Sequence, residues 1–143
     1  MTSGSKGNVL ITGAAQRIGA AIATALADDG WTVGIHFFRS SGAAEALCAD
    51  LRSNGADAYI VGADLADNTA VDGLIAHASE AAPVTCLINN ASVFERDDLE
   101  TISRSSWDQH LDVNLWAPVR LSQSLAAALP DGVSGNIVNI VDQ

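Results

Sequence analysis

One stretch near the start of the chain, residues 8–23, constrains the fold more than any other, and it reads N-V-L-I-T-G-A-A-Q-R-I-G-A-A-I-A. A short apolar run at residues 9–11 is followed by Thr12 and Gly13, and a second glycine, Gly19, opens an alanine-rich segment. This pattern predicts a buried strand, a tight turn and the first turn of a helix. Such a junction directs backbone N–H groups and the positive end of a helix dipole toward one place, which suits a pyrophosphate.

Composition and charge exclude several classes of protein. The 143 residues are 48% hydrophobic, which excludes a disordered chain and allows one domain with a substantial core. The net charge of −10 argues against a nucleic acid or an anionic membrane surface as the main partner. No apolar run approaches the roughly 18 residues of a membrane-spanning helix. Cys48 and Cys86 are widely spaced, so we expect free thiols in a reducing cytoplasm. The histidines are scattered, so we expect no metal site.

Predicted strands alternate with predicted helices along the whole chain. The strands are expected at residues 9–12, 31–38, 58–62, 84–88 and 136–141. The helices are expected at residues 18–28, 41–54, 67–81 and 105–129, the last of them bent by Pro118. The first helix carries its apolar residues at helical spacing, at Ile18, Ile22, Ala25 and Leu26. The alternation predicts a Rossmann-type, doubly wound α/β fold, with three α/β/α layers and strand order 3-2-1-4-5.

The last predicted strand is an unbroken apolar run close to Gln143. A hydrophobic strand at the edge of a sheet is an aggregation liability, so we expect further strands to cover it. Residues 1–143 are therefore expected to be the front part of a single, longer Rossmann domain. The loops that could bind a ligand all follow strands and are predicted at the carboxyl edge of the sheet.

The glycine spacing carries a resemblance to a known family. Gly13 and Gly19 are six residues apart, with Arg17 where dinucleotide-binding folds often have a middle glycine. Residues 12–19 therefore depart from plain G-x-G-x-x-G and resemble the T-G-x-x-x-G-x-G loop of the short-chain dehydrogenase/reductase family, with Arg at the second glycine. The resemblance implies that Gly13, Arg17, Ile18 and Gly19 bind a nicotinamide dinucleotide. An ordinary tight turn is the alternative for this stretch alone.

Four further motifs follow in the order that this family has them. Asp64-Leu65 looks like the pair that contacts the adenine ring, and Asn89-Asn90-Ala91-Ser92 is similar to the N-N-A-G sequence. Asn114 matches the helix asparagine of the catalytic tetrad, and residues 135–140 match the strand before the catalytic serine. The resemblance thus implies cofactor contacts by Asp64, Leu65, Asn90, Ala91 and Ser92. Without it, Asp64 is a helix cap, Asn90 a turn residue and Asn114 an exposed polar residue.

The second predicted strand decides which dinucleotide is expected. Enzymes that use NAD usually place an acidic residue near the end of this strand, and none occurs between Trp31 and Ala44. The segment ends instead in H-F-F-R-S, with His36, Arg39 and Ser40 as candidate contacts. Two guanidinium groups, those of Arg17 and Arg39, and a hydroxyl suit a 2′-phosphate, which predicts NADPH. The alternative is that both arginines simply face solvent.

Asp142 stands where most members of the family have serine. Together with Arg17 and H-F-F-R-S, it makes the chain look like the pteridine reductase branch. A carboxylate there could accept from an amino-pterin ring or support a catalytic tyrosine, and a strand-end turn residue is the alternative. The family's Tyr-x-x-x-Lys pair does not occur in residues 1–143, so this chain by itself is expected to be inactive.

These observations predict an NADPH-dependent reductase of a small carbonyl or pterin-like substrate. The alternative is a non-catalytic dinucleotide-binding protein, such as a redox-sensing regulator. A Rossmann-type methyltransferase is disfavoured, because residues 8–12 contain no acid. Trp107, Leu111 and Trp116 on the long helix could face a second copy in a homo-oligomer or pack in the core.

Overall fold

The structure, a computed structural model, describes residues 4–141, in which strands alternate with helices. The strands are β1 (Asn8–Ile11), β2 (Thr32–Phe37), β3 (Ala58–Gly62), β4 (Val84–Asn89) and β5 (Asn136–Asn139). The helices are α1 (Arg17–Asp28), α2 (Ser41–Ser53), α3 (Asn68–Ala78), α4 (Arg104–Leu111) and α5 (Ala117–Ala128). Neighbouring strands are parallel, in the order β3-β2-β1-β4-β5. The predicted doubly wound sheet and its strand order are confirmed.

Helices cover both faces of the sheet, because successive residues of the central strands are apolar on both sides. Val9 and Ile11 pack with α1 and α2 in one core cluster. Leu10 and Leu87 pack with α3 and α5 in a second cluster on the opposite face. The sheet is therefore the middle of the three predicted layers, and its central strand β1 is fully buried.

The packed face of α1 differs from the predicted one in part, since Ile22 and Leu26 pack against the core whereas Ile18 and Ala25 are exposed. Ile18 is 60% exposed, and the residues that α1 buries are Gly19, Ala23 and Ala27. A Cβ at Gly19 would collide with the Gly13 carbonyl oxygen, so the helix begins in contact with the turn itself. This contact sets the rotation of the helix about its axis, and small residues then face the sheet.

The long fourth helix is interrupted between residues 111 and 117. A π-helical turn, Asp112–Trp116, joins α4 to α5, and this segment is called the π-turn below. In a continuous α-helix the Asn114 carbonyl would accept from the N–H of residue 118, but Pro118 has none. The π-turn lies immediately before the proline and accommodates this missing donor, while the bend predicted at Pro118 stays a prediction.

Several apolar side chains of the fourth helix are exposed. Trp107 is 51% exposed, Leu111 41% and Trp116 45%, so the expectation that they pack in the core is wrong. That a second copy covers these side chains stays a prediction.

Within residues 4–141, no helix is long and apolar enough to cross a membrane, and Cys48 and Cys86 are free and buried. The cytoplasmic location stays a prediction too.

A buried polar network stabilises the amino edge of the sheet. The Tyr59 hydroxyl lies 2.9 Å from both Asn8 Oδ1 and the Ala78 carbonyl oxygen. Asn8 Nδ2 donates to the carbonyls of Ala78 and Ala82, which ties the end of α3 to β1. Burial raises the pKa of Tyr59 to about 12, so the hydroxyl stays a donor. The Tyr59 ring lies over Gly34, which has no side chain to displace it.

We expect Gly34→Ala to lower the free energy of unfolding by about 1–3 kcal/mol. A Cβ at Gly34 would lie 2.5 Å from the Tyr59 hydroxyl oxygen, and the ring cannot retreat without losing its bonds to Asn8 and Ala78. Gly73→Ala in α3 is the control, since nothing lies within 4 Å of its Cβ position. Helix propensity predicts a gain of up to about 1 kcal/mol there. Urea unfolding followed by circular dichroism measures both, and equal effects would contradict the expectation.

Candidate functional site

The candidate site lies where the loops at the carboxyl edge of the sheet diverge. β1 is paired with β2 on one side and with β4 on the other. The chain leaves β1 for α1 on one face of the sheet, whereas α5, which follows β4, packs on the other face. A crevice opens at such a switch in direction, and ligands of doubly wound sheets bind there. The predicted site residues that follow these strands are therefore brought to one edge.

Thr12 and Asn90 join the two central loops of this crevice. The Thr12 hydroxyl oxygen accepts from the backbone N–H groups of Asn90 and Ala91, at 3.0 Å each. In return, Asn90 Nδ2 donates to the carbonyls of Thr12 and Gly13, at 3.0 and 3.1 Å. Asn90 is thus more than a turn residue, because its side chain fixes the path of the glycine loop. We refer to these four bonds as the Thr12–Asn90 junction.

The glycine loop leaves the start of α1 open. Gly13 has φ +61°, and a Cβ there would lie 2.9 Å from Ala91 Cα, so this position excludes a side chain. Gln16 precedes α1 without capping it, and the first turn holds no acidic residue. The first N–H groups of a helix otherwise need a partner, and an anion supplies one. The cradle around Gly13 and Gly19 therefore fits a dinucleotide pyrophosphate.

Two cations, Arg17 and Arg39, follow β1 and β2 along the chain. Arg17 begins α1 with φ +54°, and Arg39 follows β2 with its guanidinium 4.8 Å from the centre of the Phe38 ring. Among residues 4–141, neither arginine forms an ion pair with a carboxylate. Ser40 precedes α2, and its hydroxyl makes no capping bond. The end of β2 can therefore receive an anionic group.

His36 is buried beside the glycine loop and binds its backbone. Its side chain is 2% exposed, and its Nδ1 accepts from the Gly13 N–H at 3.0 Å. Its Nε2 lies 3.0 Å from the Ala63 carbonyl, and its own carbonyl accepts from the Ala14 N–H at 2.9 Å. These partners require the neutral ring with the proton on Nε2. Burial lowers its pKa, while the bond to Ala63 opposes this shift. Both ring nitrogens are engaged by backbone groups, and the predicted contact of His36 with the cofactor stays a prediction.

The segment after β3 also differs from expectation in part. Asp64 Oδ1 accepts from the Ala66 N–H at 2.9 Å, and Asp67 rather than Asp64 caps α3. The cap expected of Asp64 without the family resemblance is therefore wrong. Leu65 is only 7% exposed, because its side chain lies in the core on the α3 side. Only its backbone can face a ligand.

Asn114 binds the chain that follows Asn90, Ala91 and Ser92. Its Oδ1 accepts from the Val93 N–H and its Nδ2 donates to the Val93 carbonyl, both at 2.8 Å. The side chain is therefore occupied, whereas its carbonyl lacks an α-helical donor because of Pro118. That carbonyl is what Asn114 can offer to the site. Asp142 lies outside the described residues, so its predicted role is not placed.

Comparison with known sequences identifies relatives along nearly the whole chain. The model of the short chain dehydrogenase family matches residues 7–142. FabG, the 3-oxoacyl-[acyl-carrier-protein] reductase of Staphylococcus aureus (strain N315), is 29% identical over 134 residues, 93% of this chain and 54% of that protein. The 3-oxoacyl-[acyl-carrier-protein] reductase of Synechocystis sp. is 33% identical over 132 residues, 92% of this chain and 53% of that protein. The chain thus spans about half the length of the curated relatives it matches.

Solved structures show the same fold. FolM alternative dihydrofolate reductase 1 from Brucella canis, complexed with NADP, has a TM-score of 0.91 and 40% identity, over 96% of this chain and 55% of that chain. A short chain dehydrogenase from Burkholderia cenocepacia J2315, in complex with NADP, has a TM-score of 0.88 and 35% identity, over 94% of this chain and 55% of that chain. The Rossmann-type fold that the sequence predicts is confirmed by both likenesses.

We expect His36 to make the free energy of unfolding depend on pH. Its pKa is lowered in the folded chain, so the unfolded chain takes up a proton at higher pH. The stabilisation is therefore complete above the unfolded value of 6.5 and is lost as the pH falls below it. One such proton contributes a slope of at most about 1.4 kcal/mol per pH unit.

His36→Asn removes this proton site while its amide oxygen keeps an acceptor near the Gly13 N–H. Urea unfolding at pH values between about 5.5 and 7.5, where histidine titrates, measures the slope in both proteins. We expect a steeper loss of stability toward acid pH in the wild type. Parallel pH profiles would show that His36 does not carry the dependence.

Proposed function

The chain belongs to the short-chain dehydrogenase family, and on that premise we propose that it is the dinucleotide-binding part of an NADPH-dependent oxidoreductase. The observation that carries the proposal is that Arg39, just after β2, and Arg17, at the open start of α1, have no acidic partner among residues 4–141. A 2′-phosphate brings two negative charges, and guanidinium groups match them with paired hydrogen bonds. The NADP bound to the related Brucella and Burkholderia proteins supports the same cofactor.

Each group of site residues has a separate task in this proposal. The first turn of α1, with Gly13, Ile18 and Gly19, receives the pyrophosphate. Asp64 and the backbone of Leu65 border the adenine ring, while Ser40 joins the two arginines at the 2′-phosphate. The Thr12–Asn90 junction holds the glycine loop next to Ala91 and Ser92. His36 holds the same loop by accepting from the Gly13 N–H. The bound nicotinamide supplies a hydride to the substrate.

The substrate-side chemistry rests on fewer residues. The Asn114 carbonyl, which Pro118 leaves without an α-helical donor, is an acceptor for a proton relay. Asp142 as a carboxylate accepts a hydrogen bond from the amino group of a pterin ring. The family resemblance assigns the proton donor to the tyrosine of a Tyr-x-x-x-Lys pair, which residues 1–143 do not contain. We therefore propose the activity for the protein that supplies this pair, and not for residues 1–143 alone.

A pterin-like substrate of the pteridine reductase type is the reading we favour. Asp142 supports it, since an amino-substituted ring offers a donor to a carboxylate and a ketone does not. The similarity to a FolM alternative dihydrofolate reductase supports the same class. A second candidate, a 3-oxoacyl carbonyl substrate, is favoured by the similarity to two 3-oxoacyl-[acyl-carrier-protein] reductases.

We expect Arg39→Ala to weaken NADPH binding by about 10–100-fold, because a charge-assisted pair with the 2′-phosphate is lost, and to change NADH binding by less than about threefold. Fluorescence titration of both cofactors measures the difference. Lys6→Ala is the matched control. Lys6 is also a cation, but it precedes β1 at the opposite edge of the sheet and pairs with Asp29. A similar loss for both cofactors would contradict the assignment of Arg39 to the 2′-phosphate.

The substrate class is tested by offering 7,8-dihydrofolate and a 3-oxoacyl thioester to the protein with NADPH. We expect NADPH oxidation with the pterin, measured by its absorbance, and we expect Asp142→Ser to lower kcat/KM for it by about 10-fold or more through loss of a charged hydrogen bond. Oxidation with the thioester alone would replace the pterin by the carbonyl class. Tight NADPH binding without turnover of either would favour the non-catalytic alternative.

A further inference from the structure

The segment that follows Ser92 lies against the fourth helix in a regular pattern of polar contacts. Three helix residues spaced by four, Ser106, His110 and Asn114, contact three loop residues spaced by two. Their partners in the same order are Asp97, Glu95 and Val93. Four residues of an α-helix rise about 6.0 Å, and two residues of an extended chain span about 6.6 Å. The two spacings match, so every second residue of an extended segment can contact every fourth residue of the helix. We refer to these contacts as the polar ladder.

Most of the bonds in the polar ladder go to the backbone of the segment. Asn114 holds both the N–H and the carbonyl of Val93. His110 Nε2 accepts from the Glu95 N–H at 2.9 Å. The Ser106 hydroxyl donates to the Asp97 carboxylate, which is the one side-chain partner. The helix therefore holds residues 93–97 through backbone groups at Val93 and Glu95, and the Val93 side chain also packs against the core.

His110 is the central contact of the ladder, and its ring is oriented by its own helix. Its Nδ1 lies 2.8 Å from the Ser106 carbonyl, which can only accept, so Nδ1 carries the proton. This leaves Nε2 as the acceptor that faces the Glu95 N–H. Both bonds need the neutral ring in this one tautomer. Removing the ring leaves the Glu95 N–H without its partner.

The ladder begins where the candidate site ends. The Thr12–Asn90 junction fixes the chain as far as Ala91, and the ladder takes over at Val93. Beyond the ladder the chain turns at residues 98–103, where Leu99 is 95% exposed. Asn114, a residue of the candidate site, is itself one of the three helix residues of the ladder. The distance between Asn114 and the loop at the carboxyl end of β4 is therefore set by the same set of bonds.

We propose that His110 is a positioning residue that holds residues 93–97 against the fourth helix and so fixes the substrate-side wall of the crevice. The part of this inference that concerns substrate rests on the proposed function, whereas the docking of the segment does not. His110 acts through the Glu95 backbone and contacts neither the cofactor nor the reacting atoms.

Amide hydrogen exchange in the 143-residue chain tests the docking directly. In His110→Leu the Glu95 and Val93 amides are expected to exchange about 10-fold faster, since a bond that holds the segment is removed. In His110→Gln the amide oxygen can take the place of Nε2, and exchange is expected to stay within about twofold of the wild type. His77→Leu is the matched control, because His77 is 70% exposed on α3. Unchanged exchange at Glu95 in His110→Leu, or no recovery in His110→Gln, would overturn the proposal.

A kinetic measurement on the protein that turns over substrate tests the effect on the wall. With 7,8-dihydrofolate as the probe, His110→Leu is expected to raise KM about 5-fold or more while the NADPH dissociation constant changes less than about twofold, and His110→Gln to restore KM. A parallel loss of NADPH affinity would overturn the assignment to the substrate side. If NADPH does not bind even the wild type, the proposed function fails, and the exchange result still decides whether His110 docks the segment.

Discussion

The site depends on one reciprocal set of hydrogen bonds between the ends of two adjacent strands, β1 and β4. Thr12 accepts from the backbone after β4, and Asn90 donates to the backbone after β1. Because each loop is held by the other, neither can move alone, and the opening between them is as rigid as the sheet. The remaining contacts at this edge, from His36 behind the glycine loop to Asn114 beyond it, extend that rigidity outward.

Local patterns in the sequence were sufficient for the architecture. The apolar runs of the strands and the helical spacing of apolar residues depend on neighbouring residues, so they predict each element separately. The apolar face of α1 was predicted only in part: Ile22 and Leu26 pack against the core, but Ile18 fits the helical spacing and is exposed, because Gly19 contacts Gly13. A contact of that kind depends on tertiary structure and leaves no periodic signal.

The candidate site was predictable to the extent that its residues form a motif. The glycine loop, Asn90 and Asn114 were found by their family pattern, and the structure brings them to one edge. For His36, the place in a strand did not reveal that both ring nitrogens bond backbone groups. His110 was missed, because it binds a backbone N–H. Any residue at position 95 except proline supplies such a group, so no sequence pattern marks it.

The π-turn has a consequence for what one helix can do on two sides. An extra residue displaces every later position by about 100° around the helix axis relative to an uninterrupted α-helix. With that phase shift, Leu121 and Leu125 of α5 are buried against the sheet. Ser106 and His110 of α4 instead form hydrogen bonds with the loop at residues 93–97. Without it, the two leucines would rotate out of the core. The fourth helix can therefore contact the sheet with α5 and the loop with α4, which a continuous α-helix with one unchanged phase could not do.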